Sequence, residues 1–141
     1  MNTPTERELN VIVHGLREDD AGPQTNQLVT ELFETIGLEQ TRTSSAYRLG
    51  GKSPNKIRPI KIIMESYEQK GQLMSRLWRL KYGLEKFQRT SITEDFTQEE
   101  RNELKVWVEE AKQRTKKEDK YIWKVRGSPR TTIRLVKMSK L

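Results

Sequence analysis

The chain has 141 residues, 33 % hydrophobic and 33 % charged, with no cysteine, one histidine and a net charge of +7. That length suits one domain, or a small domain with an appendage, and so lean an apolar share predicts a thin core beneath a heavily charged surface. The composition excludes disulfides, thiol catalysis, cysteine-ligated metal and a histidine-rich metal site, and no apolar run approaches the ~18 residues of a membrane span.

Residues 9–14 (LNVIVH) are β-branched and apolar and are stopped by Gly15, which predicts a buried strand. Residues 17–23 (REDDAGP) predict a loop. From Gln24 to Ile36, the side chains Leu28, Val29, Leu32, Phe33 and Ile36 recur at helical spacing, and Gly37 ends the helix. Residues 43–49 (TSSAYRL) predict a second strand and residues 50–56 (GGKSPNK) a turn bearing two lysines. Residues 58–65 (RPIKIIME) carry the strongest strand signal, with Pro59 limiting hydrogen bonding near the start. Ser66 and Gln69 have capping-box spacing. Beyond them Leu73, Leu77, Leu80 and Leu84, with Met74 and Trp78 alongside, predict a helix reaching Gly83 with Trp78 in the core. Residues 89–93 (RTSIT) predict a short fourth strand. The order over residues 8–95 is strand, helix, strand, strand, helix, strand. It predicts an α+β, ferredoxin-like unit with an antiparallel sheet, two helices on one face and the other face open.

Thr97 and Glu100 form a second capping box, followed by a stripe of Leu104, Trp107, Val108 and Ala111 that puts Trp107 in a core. Residues 121–126 (YIWKVR) and 131–137 (TTIRLVK) flank Gly127-Ser128-Pro129-Arg130 and predict a hairpin with a basic tip. Residues 96–138 are therefore expected to form a small helix–hairpin subdomain after the first unit.

The charge lies in blocks. Residues 1–41 carry a net −6, residues 42–92 a net +9, residues 93–110 a net −5 and residues 111–141 a net +9. Protein surfaces ordinarily intersperse the two signs, so this segregation points to a positive surface built from two stretches and to a polyanionic partner. The plainer explanation is that Lys and Arg solvate helix faces.

The strand–helix order invites comparison with the RNA-recognition motif. There the first strand carries an aliphatic-aromatic-aliphatic motif ending in Asn-Leu. The matching segment here is Val11-Ile12-Val13-His14-Gly15-Leu16, where Ile12 replaces the stacking aromatic and Gly15 the asparagine. In the third strand, Ile57 to Met64 buries Ile60, Ile62 and Met64 and turns Pro59 and Lys61 outward, so both stacking positions are lost. What is left is cationic, with phosphate contacts expected from Arg48, Lys52, Lys56, Arg58 and Lys61.

The succession NVIVHGL, AYRLG, RPIKIIMES, a leucine-rich basic helix, ITEDFTQEER and YIWKVRGSPR resembles a known family. It is the RNA-binding protein of the first open reading frame of LINE-type (non-LTR) retrotransposons, transposase-22-like. The resemblance spans residues 8–138. It implies an RNA-recognition-like domain followed by a small C-terminal domain, with RNA lying in a basic cleft between them. It also implies sequence-tolerant binding of single-stranded RNA and single-stranded DNA, nucleic-acid chaperone activity, and a cytoplasmic or nuclear ribonucleoprotein particle. The basic side chains it adds are Arg79 and Lys81 at the end of the second helix, and Lys124, Arg126 and Arg130 with Tyr121 and Trp123 in the hairpin. Full-length members form homotrimers through an upstream coiled coil, whereas no heptad run precedes Leu9 here.

The rival reading is a protein-interaction module of the same fold that makes no nucleic-acid contact. Tyr121 and Trp123 share a strand face, and either stack on bases or pack on the third helix. Glu94 and Asp95 look like acids serving the helix capped at Thr97. With one histidine and no phosphate-binding glycine loop, no enzymatic activity and no cofactor are expected. The N-terminal MNTPTERELN has no hydrophobic signal segment, which argues against secretion.

Overall fold

The structure, a computed structural model, describes residues 6–18, 24–38 and 43–140; residues 19–23 of the expected loop, with Asp19 and Asp20, lie outside them. The chain divides into two units between Asp95 and Phe96.

In the first unit the elements are β1 (Asn10–His14), α1 (Thr25–Thr35), β2 (Thr43–Arg48), β3 (Ile60–Met64), α2 (Tyr67–Ser75) and β4 (Ser91–Glu94). The four strands form a wholly antiparallel sheet in the order β2-β3-β1-β4. The period-two pattern decides which face is core. Val11 and Val13 of β1 stand beside Ile62 and Ile60 of β3, and Ile92 of β4 stands beside Val13. These residues join Met64, Leu28, Val29, Leu32, Phe33, Ile36 and Leu73 in one buried cluster, so both helices cover the same face. Each such side chain contributes about 1.5–3 kcal/mol on burial.

Local chemistry explains the helix ends. The side chain of Gln27 accepts from the Gln24 N–H at 3.0 Å where α1 begins. At its end, Gly37 has φ +81°, the left-handed conformation that glycine adopts without a Cβ penalty. The Leu38 N–H then donates to the Phe33 carbonyl at 2.7 Å and the Gly37 N–H to the Glu34 carbonyl at 3.1 Å, a Schellman closure. Ser66 caps α2 by accepting from the Gln69 N–H at 3.2 Å.

The leucine-rich stretch departs from expectation. The α-helix stops at Ser75, and a 3₁₀ segment, Leu77–Tyr82, replaces its last turns. Three residues per turn keep Leu77 and Leu80 toward the core but swing Trp78 out of it. Trp78 is 60 % exposed, not a core residue. A second 3₁₀ turn, Glu85–Phe87, buries Phe87 where the leucine repeat would have buried Leu84, which is exposed.

The second unit holds α3 (Gln98–Lys116), β5 (Tyr121–Arg126) and β6 (Arg134–Ser139), the two strands pairing antiparallel. The capping box at α3 is complete: the Glu100 N–H donates to Thr97 Oγ1 at 3.1 Å and the Thr97 N–H to Glu100 Oε1 at 2.8 Å. α3 lies against β5, with Ala111 buried and Leu104 and Trp107 half-buried. The second hairpin strand begins three residues later than its sequence suggests. Ser128 and Thr131 bond within the loop, through Ser128 N–H to Thr131 Oγ1 at 3.0 Å and Thr131 N–H to the Ser128 carbonyl at 3.0 Å. Such local bonds compete with strand pairing and delay it.

Candidate nucleic-acid interface

The sheet face away from the helices carries a row that crosses all four strands: Tyr47, Lys61, Ile12 and Thr93, each opposite the next. Ile12 is only 9 % exposed, and Lys61 stands 3.6 Å from the Asp95 carboxylate. His14 meets the Thr93 hydroxyl at 3.1 Å. The exposed aromatic on this face is Tyr47 of β2, which sequence reasoning missed; its alternation with Ala46 was the available signal.

Four of the arginines expected to meet phosphate are engaged inside their own unit. Arg48 shares a face with Ile60, which is the core side of β2. Its Nη1 donates to the Leu16 and Arg58 carbonyls at 2.6 and 2.7 Å, and burial pulls its pKa down. Arg58 grips Glu18 at two points and donates to the Gly50 carbonyl at 2.9 Å. The hydrogen bond from Arg58 holds the Glu18 carboxyl below its ordinary range.

Arg79 donates to the Ile36 carbonyl at 3.0 Å and Arg76 to the Gly37 carbonyl at 2.7 Å. These two cations satisfy free carbonyls at the negative end of the α1 dipole. Arg130 pairs with Glu100, its Nε 2.8 Å from Oε2, and lies 5.0 Å from the Phe96 ring centroid. Glu94 and Asp95, expected to serve the helix capped at Thr97, form ion pairs within the first unit. Glu94 takes the buried Lys70 at 2.6 Å, while Asp95 takes Lys61, Arg7 and the Asn10 amide.

Lys52, Lys56 and Lys81 are exposed. In the hairpin, alternation separates two faces. Tyr121 and Trp123 lie on the face carrying Lys137, whose ammonium is 4.3 Å from the Tyr121 centroid and 5.8 Å from that of Trp123. Arg114 of α3 lies 5.0 Å from the Trp123 ring, and the Trp123 N–H donates to Thr115 Oγ1 at 2.8 Å. Trp123 therefore packs on the α3 side, and both rings already carry a cation.

The opposite hairpin face combines Ile122, Lys124 and Arg126 with Arg134, Val136 and Met138. Arg126 and Arg134 are direct cross-strand partners, and Lys124 follows on the same face. All three are exposed, with no acidic partner among the described residues. Sequence reasoning missed Arg134, because it depends on the register that the longer loop sets.

Among the described residues no group of three or more His, Asp or Glu is placed to hold a metal ion, and no helix is long and apolar enough to cross a membrane. No protein-family model matches the chain, and no curated protein matches it.

Proposed function

We propose that this chain is a sequence-tolerant binder of single-stranded RNA and single-stranded DNA. In this reading a ferredoxin-like domain of the RNA-recognition type is followed by a helix–hairpin unit that contacts phosphate. Following the family resemblance, it serves as a nucleic-acid chaperone in the ribonucleoprotein particle of a LINE-type retrotransposon.

The observation that carries the reading is the Arg126–Arg134 pair with Lys124 beside it. Like charges directly opposite across a ladder are destabilising. An arrangement that keeps them, exposed and without a carboxylate, favours an anion that bridges them. A nucleic-acid backbone supplies phosphates in series, and each neutralised phosphate releases condensed counterions. The sheet supports tolerance of sequence, since Ile12 and Lys61 stand where stacking aromatics would read bases.

The test is fluorescence anisotropy with a labelled single-stranded RNA of about 20 nucleotides, beside duplex DNA, across a salt series. The expected result is tighter binding to the single strand, with a log–log salt slope of about 0.7 per phosphate contact. Absence of binding at low salt overturns the reading. So does competition by heparin with no dependence on strand length, which marks a general acidic-partner surface.

A further inference from the structure

We propose that Trp78 and Tyr82 form a base-stacking platform for single-stranded nucleic acid, with Lys81 as its phosphate contact. This rests on the single-strand reading above and names a second site within it, on the 3₁₀ segment of the first unit.

Trp78 is 60 % and Tyr82 81 % exposed, although each buries usefully in a core. Their rings meet edge to face, with centroids 6.3 Å apart and planes at 70°. The Arg79 guanidinium lies 5.5 Å from the Trp78 centroid while its Nη1 is fixed on the Ile36 carbonyl. An anchored cation thus lies over the indole, which lowers the side-chain freedom it has to lose on binding. Lys81 follows Trp78 by three residues, one full 3₁₀ turn, so the two share an edge of the segment. Residues 76–84 hold three cations, Arg76, Arg79 and Lys81, and no acid. Flat aromatic faces edged by cations suit an unpaired strand, which offers stackable bases and phosphates together. An acidic protein surface would meet the cations but has no need of the rings.

Binding is measured by anisotropy for the full chain and its variants. One probe is a labelled single-stranded RNA; the other is an abasic ribose-phosphate strand of equal length. Trp78→Ala is expected to weaken RNA binding roughly 5- to 150-fold and to leave abasic binding within about twofold, since only bases stack. Trp78→Phe, which keeps a ring, is expected to retain most of the affinity. Lys81→Ala weakens both probes and lowers the salt slope by about 0.7. Trp78 is exposed, so its removal leaves the core intact, and a circular-dichroism melt verifies the fold. If Trp78→Ala weakens both probes equally or neither, the platform is overturned while the single-strand reading stands. If the unaltered chain binds neither probe, that reading falls and the platform with it.

Discussion

Arg130 and Glu100 join the hairpin tip to the first turn of α3 through two hydrogen bonds, Nε to Oε2 at 2.8 Å and Nη2 to Oε1 at 3.2 Å. The same carboxylate accepts the Thr97 N–H, so one side chain closes the loop and caps the helix. The hydrogen bond from Arg130, with help from Thr97, brings the Glu100 pKa down to about 2.

A carboxylate depressed on folding stabilises fully above its ordinary value near 4.5 and loses that contribution as pH falls toward 2. The melting temperature of the full chain should therefore decline between those values, and Glu100→Gln should flatten part of the decline. At neutral pH, Arg130→Ala should cost about 1–3 kcal/mol. An Arg130→Ala chain that melts like the unaltered one would show that the pair does not hold the tip.

Arg126 and Arg134 make the opposite prediction. They repel across the ladder, so Arg126→Ala should leave stability unchanged or raise it by a few tenths of a kcal/mol. Its effect should fall on binding: weaker association with every single-stranded sequence, and a salt slope lower by about 0.7. Arg134→Ala should behave alike, and the double variant should lose about twice the slope. Unchanged slopes in both would remove the hairpin from the binding surface.

The contrast between Arg130 and Arg126 shows what the sequence discloses. Both read as basic hairpin residues, and only the fold reveals that one has a carboxylate and the other faces its like. Element order was legible because β-branched runs, capping boxes and glycine stops are local signals; Ser66, Thr97 and Gly37 act as their residue types predict. Trp78 was illegible for a geometric reason. A leucine repeat reads the same until the backbone tightens from 3.6 to three residues per turn, and nothing in the leucines announces the change. Arg48 shows a third limit, because one-residue register decides whether a strand cation faces solvent or core.

Arg79, expected among phosphate ligands, donates to the Ile36 carbonyl at the end of α1. Arg79→Ala should lower stability by about 0.5–1.5 kcal/mol, measured by urea denaturation, through loss of a charge-assisted bond at a helix C-terminus. Gly37→Ala tests the same corner from the other side. A Cβ there would lie 2.6 Å from Arg79 Nη1, and φ +81° disfavours any L side chain. A cost of about 1 kcal/mol is expected, and a neutral result would mean that the turn relaxes to another conformation.

Lys70 of α2 ties β4 to the segment that precedes β1. Its residue is 6 % exposed, and its ammonium donates to Glu94 of β4 and to the Glu8 carbonyl, both at 2.6 Å. A buried cation is held here by one carboxylate and one carbonyl, and removing it takes a charge partner from Glu94 and a donor from the Glu8 carbonyl. Lys70→Ala should therefore cost about 2–4 kcal/mol, whereas Lys70→Met, which fills the space, should cost less. Glu94→Gln should also destabilise, because the ammonium then lacks its counter-charge. The double change Lys70→Met with Glu94→Gln closes the cycle. A coupling energy of about 1–3 kcal/mol would assign the cost to the pair itself. A coupling near zero would mean that Lys70 acts through its bond to the Glu8 carbonyl and not through Glu94.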